Sequence, residues 1–128
     1  MPRSRPRPTD AELAILRVLW ERGPATVRQV HEALAGERET GYTTTLKLMQ
    51  IMADKRLVDR DESSRTHVYT ASMSEEHTQG QLLHDLADRA FGGSAAALVL
   101  RALSTQATSD EELREIRKLI DEAREDRR

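Results

Sequence analysis

The sequence of 128 residues predicts a mainly α-helical protein with one small two-stranded hairpin, and three observations favour this fold class. Aromatic residues make up only 3% of the chain, so a core must be built from Leu, Ile, Val, Met and Ala, which suits packed helices. Apolar residues recur at helical spacing along most of the sequence. Between residues 57 and 70 the period changes to that of short strands.

Two capped helices are predicted first. Thr9 and Glu12 fit a capping box, in which side chains satisfy the free amides of a helix start, and Gly23-Pro24 ends that helix. Thr26 and Gln29 repeat the capping pattern for a second helix, which should stop at residue 36. The core stripe of the first helix is predicted to hold Leu13, Leu16 and Trp20, with Ile15 and Leu19 beside it.

Residues 41–70 predict a third helix that leads directly into the hairpin. The helix opens with the threonines 43–45 and ends at 54–56. Strands at 57–61 and 66–70 flank a polar turn at 62–65. This order predicts a winged helix-turn-helix over residues 9–71, an arrangement by which many small proteins bind DNA. Residues 1–8 form a basic tail, interrupted by prolines and expected to be flexible.

The third helix has one face that suits contact with DNA. We expect Leu48, Met49 and Met52 to face the core. The opposite face, here called the reading face, then comprises Thr43, Lys47, Gln50 and Asp54, with Thr44 at its edge. Hydroxyl, amide and ammonium groups can bind base edges or phosphates, although they are also ordinary components of a solvated surface. Leu46 and Ile51 make the helix apolar on further sides, so at least one should pack against the first helix or the hairpin.

Other side chains could add contacts to the DNA backbone. Arg65 and Ser64 in the hairpin turn, with Arg60 nearby, could grip a phosphate or enter the minor groove. Arg28, in the first turn of the second helix, could bind a phosphate together with the helix amides. Each of these could instead be a solvated surface residue. Tyr42 could stack on the DNA or fill the loop before the third helix, and the sequence leaves both readings open.

The last part of the chain, residues 72–128, predicts three helices, at 77–91, 94–104 and 109–126, and no strands. Ser72 or Ser74 could cap the first of them, and Ser109 and Glu112 fit a capping box for the last. The apolar stripes of these helices contain Leu82, Leu83, Leu86, Leu98, Val99, Leu103, Leu113, Ile116, Leu119 and Ile120. So short a segment cannot bury these stripes by itself, so we predict a tight homodimer.

Composition excludes several classes of protein. The absence of cysteine excludes disulfides and thiolate metal sites and favours a cytoplasmic location. No apolar run approaches the roughly 20 residues that span a bilayer. Residues 1–70 carry 12 Lys/Arg against 10 Asp/Glu, whereas residues 71–128 carry 8 against 12, so the acidic net charge of −2 is concentrated away from the predicted DNA-binding half.

Sequence motifs for metal binding and catalysis are also missing. His77 and His84 could share one helical face with Asp85 and Asp88, but four ligands at metal-binding spacing are not evident. There is no HExxH motif, no Gly-rich phosphate loop and no cysteine nucleophile. We therefore predict that the protein holds no metal or cofactor and is not an enzyme.

Four segments resemble one known family: TDAELAILRVLW near the start, the GYTTTLKLMQIMADKRLV helix, RTHVY in the hairpin, and FGGSAAALVLRAL followed by EELREIRKLIDE. In this order and spacing they resemble the BlaI/MecI penicillinase-repressor family, which includes a copper-responsive CopY branch. The resemblance implies a homodimeric winged-helix repressor that binds an inverted repeat over a promoter. It also implies release when a membrane-bound sensor metalloprotease causes the repressor to be cut.

This sequence departs from the family at the site of cutting. The family's Asn-Phe pair follows a Leu-Val-Leu run, and the matching residues here are Arg101 and Ala102 after Leu98–Leu100. Either the sensor protease has a different preference or this repressor is released in another way. The paired cysteines of the copper branch are absent as well.

The sequence thus predicts a repressor that binds a palindromic operator as a homodimer. An alternative remains from another class. The winged helix could be a protein-interaction module that does not read DNA, with Leu46 and Ile51 on its docking face. The steep salt dependence of DNA binding would discriminate between the two.

Overall fold

The computed structural model describes residues 7–37 and 39–127, and it confirms the mainly helical fold class with its small antiparallel sheet. Residues 1–6 of the predicted tail lie outside the described part. The elements, in chain order, are α1 (Asp10–Arg22), α2 (Val27–Leu34), α3 (Tyr42–Asp54), β1 (Val58–Asp61), β2 (Val68–Ala71), α4 (Glu75–Ala90), α5 (Ala95–Thr105) and α6 (Asp110–Asp126). The chain divides into two compact units, one up to Leu82 and one from Leu83 onward, so α4 contributes to both.

Local hydrogen bonds explain where the first helices begin and end. The Thr9 hydroxyl accepts from the Glu12 amide, and the Glu12 carboxylate accepts from the Thr9 amide, which completes the predicted capping box. Gly23, at φ +92°, donates its N–H to the Leu19 carbonyl at 2.9 Å and ends α1. The capping box predicted for α2 is also present, although α2 ends at Leu34, two residues before the expected stop.

The first unit has one continuous apolar core. Helix α1 contacts α2, α3 and β2, α2 contacts α3, and α3 contacts β1. The buried side chains are Ile15, Leu16, Leu19, Ala25, Val27, Val30, Leu34, Met49, Met52, Val58 and Tyr69. The predicted stripe of α1 was wrong by about one position, because Leu13 and Trp20 lie only at the edge of this core. Trp20 is structural nonetheless, since its indole N–H donates to the Met73 carbonyl at 2.9 Å.

The hairpin differs from the prediction in its turn. Strands β1 and β2 pair Val58 with Ala71 and Asp61 with Val68, so residues 66 and 67 belong to the turn and not to the second strand. Two side-chain hydrogen bonds hold the wider turn: the Ser63 amide donates to Asp61 Oδ1 at 2.9 Å, and the Ser64 hydroxyl donates to the Thr66 carbonyl at 2.8 Å. The strand period alone does not show such contacts.

A further backbone pairing lies on the other edge of β2. The Ala25 amide donates to the Tyr69 carbonyl at 3.0 Å, and the Tyr69 amide donates to the Ala25 carbonyl at 2.8 Å. The sequence does not predict this pairing, because a single bridging residue produces no periodic pattern. It attaches the hairpin to the loop before α2.

The second unit buries far less apolar surface. The helix that leads into this unit, α4, begins in the first unit, where Ser74 and not Ser72 caps it by accepting from the His77 amide at 3.0 Å. The capping box of α6 is present as predicted. Helices α5 and α6 contain no buried residue. No helix in the described part of the chain is long and apolar enough to cross a membrane.

Candidate nucleic-acid interface

The reading face of α3 is open to solvent. Met49 and Met52 are fully buried, with 0% of their surface exposed, and Leu48 is half-buried. All five reading-face residues are exposed: Thr43, Thr44, Lys47, Gln50 and Asp54. The structure therefore brings together on one helix face the hydroxyl, ammonium and amide groups expected there. Because the charge of Asp54 offsets that of Lys47, the face is polar but carries no net charge.

Three further side chains of α3 differ from one another in their exposure to solvent. Thr45 is buried, and its hydroxyl donates to the Gly41 carbonyl at 3.3 Å, so only two of the three opening threonines face solvent. Leu46 packs against the core, as expected for at least one of the extra apolar residues. Ile51, in contrast, is 37% exposed and lies one turn after Lys47. An exposed apolar side chain beside the reading face could contact a thymine methyl group.

Arg28, His31 and Tyr42 form a cluster where α2 meets the start of α3. The Arg28 guanidinium carbon lies 5.3 Å from the centroid of the Tyr42 ring. The His31 ring meets Tyr42 edge-on, with 5.9 Å between centroids and an angle of 87°. Arg28 is exposed and Tyr42 is 41% exposed, so the cluster lies at the surface. The arrangement brings Arg28 next to the residue that precedes the reading face.

The N-terminus of α2 offers less to a phosphate than the sequence analysis expected. The Thr26 hydroxyl accepts from the Gln29 amide at 3.2 Å, and the Gln29 side chain accepts from the Thr26 amide at 2.9 Å. Since the capping box engages the Gln29 amide, the guanidinium of Arg28 remains the main cationic group at this end.

The residues of the hairpin, here called the wing, differ in the contacts that they make within the fold. Arg60 Nη2 lies 3.3 Å from Glu62 Oε1, and contact with the Tyr69 hydroxyl, followed by the charge of Glu62, raises the pKa of Arg60. Arg65 is exposed and makes no ion pair with any residue that the structure describes. Ser64 is exposed too, but its hydroxyl proton is used within the turn. Arg65 is thus better placed than Arg60 to meet a phosphate.

A buried ion pair fixes the far end of α3. Lys55 Nζ lies 2.9 Å and 3.1 Å from the two carboxylate oxygens of Glu12, whose side chain is only 2% exposed. Burial would raise the pKa of Glu12, but the Thr9 amide and the Lys55 ammonium outweigh it, so the pKa is lowered. Because Lys55 is the C-cap of α3, one carboxylate holds both the start of α1 and the end of α3.

The residues considered for a metal do not assemble. Nε2 of His84 lies 3.3 Å from Oδ2 of Asp88, one turn away, and His77 is exposed. Within the ranges described, no three His, Asp or Glu side chains are grouped so that they could hold a metal ion.

The positions matching the family's cutting site lie inside α5. Arg101 and Ala102 are both exposed. The Arg101 carbonyl accepts from the Thr105 hydroxyl at 2.8 Å, and the Ala102 carbonyl accepts from the Gln106 amide at 3.0 Å. The peptide bond between them is therefore held in helical backbone.

The residues expected at a dimer interface are open in the single chain. Leu82, Leu98 and Ile116 are half-buried. The others are exposed: Leu83, Leu86, Val99, Leu103, Leu113, Leu119 and Ile120. Leu119, at 62% exposure, is among the most open apolar residues described.

Three helices, a β-hairpin packed on them and an exposed face on the third helix define a winged-helix protein. The model of a protein family described as penicillinase repressor matches residues 8–122, so the chain belongs to the penicillinase repressor family. This family consists of repressors, which confirms the prediction that the protein is not an enzyme.

Similar proteins agree with this assignment. The transcriptional regulator BlaI of Mycobacterium tuberculosis H37Rv is 39% identical over 93 residues, which cover 70% of this chain and 67% of that protein. The penicillinase repressor of Bacillus licheniformis is 23% identical over 117 residues, with 91% of each chain covered.

Two solved structures share the winged-helix fold. The solution structure of the DNA-binding domain of the repressor BlaI matches with a TM-score of 0.50 at 22% identity, covering 58% of this chain and 90% of that one. The Bacillus licheniformis BlaI monomeric form in complex with the blaP half-operator matches with the same TM-score and identity, covering 57% and 89%. At this identity the likeness shows the fold, and it confirms the winged helix over the first part of the chain.

Proposed function

We propose that this protein is a transcriptional repressor that reads a specific DNA sequence with α3 and holds the DNA backbone with the wing and the start of α2. The observation that carries the proposal is the reading face, whose polar side chains are all exposed while the opposite side of α3 is buried. Membership of the penicillinase repressor family supports it. So does a relative of the same fold, which was solved with a half-operator.

Four residues of the reading face are assigned contacts with DNA in this proposal. Gln50 suits a bidentate contact with adenine, and Lys47 suits guanine or a phosphate. The hydroxyls of Thr43 and Thr44 reach phosphates or base edges, and their methyl groups can contact thymine. Arg65 at the wing tip and Arg28 at the start of α2 bind phosphates, which position the domain but carry no sequence information.

The repressor acts as a homodimer on an inverted repeat. Residues 9–71 form the DNA-binding part and residues 72–128 the dimerisation part, whose exposed leucines and isoleucines support the need for a partner. A second copy covers the same residues on both protomers because a two-fold interface is self-complementary. Two-fold symmetry then predicts a palindromic operator.

Release of the operator proceeds by cutting within α5, near Arg101 and Ala102, after a signal from a membrane-bound sensor protease. The cut would separate α6 and the end of α5 from the DNA-binding part, which would keep α4 and the start of α5. Two half-sites bound together gain avidity that one monomer lacks, so loss of dimerisation would free the promoter. The helical hydrogen bonds at these residues mean that α5 must open locally before it is cut.

Selection of duplexes from a random DNA pool by the full-length protein, at two salt concentrations, tests the proposal. We expect an inverted repeat whose affinity falls with salt by a slope of about −0.9 per phosphate contact. The variants Thr44→Ala and Lys47→Ala should each weaken specific binding by about 1–3 kcal/mol and leave dimerisation unchanged. Lys118→Ala in α6 is the matched control and should bind DNA like the parent. Parent-like affinity of both reading-face variants would overturn the placement of the reading face.

A protein-docking role is the second candidate, and the exposure of Ile51 beside the reading face favours it. In that case the folded protein would enrich no DNA sequence, and its binding to a protein partner would respond little to salt. The same selection experiment therefore separates the two functions.

A further inference from the structure

Tyr42 is held between two side chains of α2. Arg28 and His31 are three residues apart and therefore share one face of that helix. The guanidinium of Arg28 lies 5.3 Å from the ring centroid, and the His31 ring packs edge-on at 5.9 Å. These contacts restrict the Tyr42 ring from two sides, although it remains 41% exposed.

The charge of Arg28 is not neutralised by the fold. Arg28 is exposed, and within the described ranges no carboxylate lies within ion-pair distance of it. An aromatic face attracts a guanidinium but accepts none of its in-plane N–H bonds in the way that a carboxylate would. The ring therefore locates the cation while its N–H groups stay available for an anion.

The position of this cation follows from the sequence. Tyr42 is the first residue of α3 and immediately precedes Thr43, where the reading face begins. From these contacts we infer that Tyr42 is a positioning residue, which holds the Arg28 guanidinium in place for a phosphate oxygen of the bound DNA. The inference rests on the proposed function and deepens it, because it assigns Tyr42 an action through Arg28 and no direct contact with a base.

The expected effect is modest and independent of sequence. A free arginine side chain must be ordered when it binds a phosphate, whereas one held on a ring is already partly ordered. Replacing Tyr42 by Leu should therefore weaken DNA binding about three- to fivefold, the factor that an exposed cation–π contact provides. The loss should be equal on the operator and on a scrambled duplex, since phosphates carry no sequence information.

A double-mutant cycle with the full-length protein tests this inference. The variants are Tyr42→Leu, Arg28→Ala, the double variant and Tyr42→Phe, each titrated with the selected operator and a scrambled duplex at two salt concentrations. Arg28→Ala should reduce the salt slope by about 0.9, as for one lost phosphate contact. Tyr42→Leu should weaken binding in the parent but not in the Arg28→Ala background, and Tyr42→Phe should match the parent because it keeps the ring.

Two outcomes of the cycle would overturn the inference. Equal losses from Tyr42→Leu in both backgrounds would show that Tyr42 acts independently of Arg28. A loss from Tyr42→Phe as large as that from Tyr42→Leu would show that the hydroxyl itself contacts DNA. If the parent binds DNA and either result is found, only this inference fails. A folded parent that binds no duplex overturns the proposed function as well.

A second measurement needs neither DNA nor a destabilising variant. In the free parent, the side-chain protons of Arg28 should show an upfield nuclear magnetic resonance shift from the Tyr42 ring current. The shift should persist in Tyr42→Phe and vanish in Tyr42→Leu. Unshifted Arg28 protons in the parent would overturn the inference even if Tyr42→Leu did not fold.

Discussion

The two compact units of this chain differ in how many of their apolar side chains are buried. In the first, three helices and both strands bury a shared core, in which Val30 and Met49 are fully enclosed. In the second, among the residues described, Ala87 is the one buried apolar side chain. An amphipathic helix gains most of its stability from packing of its apolar face. The first unit therefore has a core that is complete within one chain, whereas the second leaves its apolar faces exposed, and we propose that a second copy covers them.

The largest expected effect comes from truncating apolar side chains in the proposed dimer interface. The double variant Leu119→Ala, Ile120→Ala should weaken dimerisation by roughly 4–8 kcal/mol, because two side chains that the proposed dimer covers are truncated on each of two protomers. Sedimentation of the parent and the variant over a range of concentrations measures the effect. The matched control, Lys118→Ala with Glu122→Ala, keeps net charge and helix length and should dimerise like the parent. A parent that is monomeric at micromolar concentration would show that a second copy does not cover the second unit.

Truncation inside the first unit should act within one chain. Met49→Ala should lower the free energy of unfolding of this unit by about 2–5 kcal/mol because it leaves a cavity in a closed core. Urea unfolding followed by the fluorescence of Trp20, the chain's one tryptophan, reports on this unit. The loss should be the same at low and high protein concentration, and Gln50→Ala should change stability by less than about 0.5 kcal/mol. A loss that varied with protein concentration would show that this core also depends on the partner.

The ion pair between Glu12 and Lys55 should make the first unit sensitive to acid. The pKa of Glu12 is lowered in the folded chain, so its stabilising effect is full above the ordinary glutamate pKa of about 4.5 and is lost as pH falls through the lower folded value. Glu12→Gln should reduce stability at neutral pH by about 1–2 kcal/mol, since the pair is partly solvated at Lys55.

The pH profile distinguishes this pair from a purely structural contact. Thermal unfolding of parent and Glu12→Gln should give curves that converge as pH is lowered below 4, because the parent carboxylate then becomes neutral. A constant difference across that range would mean that charge contributes nothing. Glu21→Gln, on the exposed side of α1, is the control and should leave the profile unchanged.

The smallest expected effect is a gain. Arg56 follows the C-cap of α3 with φ +64°, a left-handed conformation that favours glycine. Arg56→Gly should raise the free energy of unfolding of the first unit by about 0.5 kcal/mol, because relief of backbone strain exceeds the added freedom of the unfolded chain. Arg56→Ala keeps the strain and should give no gain. Urea unfolding monitored by Trp20 fluorescence would measure both, and equal stability of the two variants would contradict the explanation.

Much of the fold could be predicted from patterns of residues that lie close together in the sequence. The capping boxes at Thr9, Thr26 and Ser109 lie where predicted because each depends on residues only three positions apart. The core side of α3 was predicted for the same reason, since Met49 and Met52 follow helical spacing. The reading face then follows by geometry, as the side opposite a correctly assigned core.

Contacts between distant residues could not be predicted in this way. Glu12 was assigned only to a cap, although its spacing from Ile15 and Leu16 puts it on the core side of α1. Its partner Lys55 is distant in sequence, and only the packing of α1 on α3 brings the two together. The Arg28–Tyr42 contact likewise depends on the loop between α2 and α3, whose path carries no periodic signal.

The pairing of Ala25 with Tyr69 has a mechanical consequence for the proposed repressor. Tyr69 is 1% exposed, and its two backbone hydrogen bonds join the hairpin to the residue just before the cap of α2. Arg65 and Arg28 are far apart in sequence, but the hairpin and the start of α2 on which they lie are joined by these two hydrogen bonds. The fold therefore restricts the distance between the two backbone segments that carry these arginines. In the proposed repressor, this shared support would favour a duplex whose phosphates have the matching separation over one whose groove is too wide or too narrow, so DNA shape would be read along with DNA sequence.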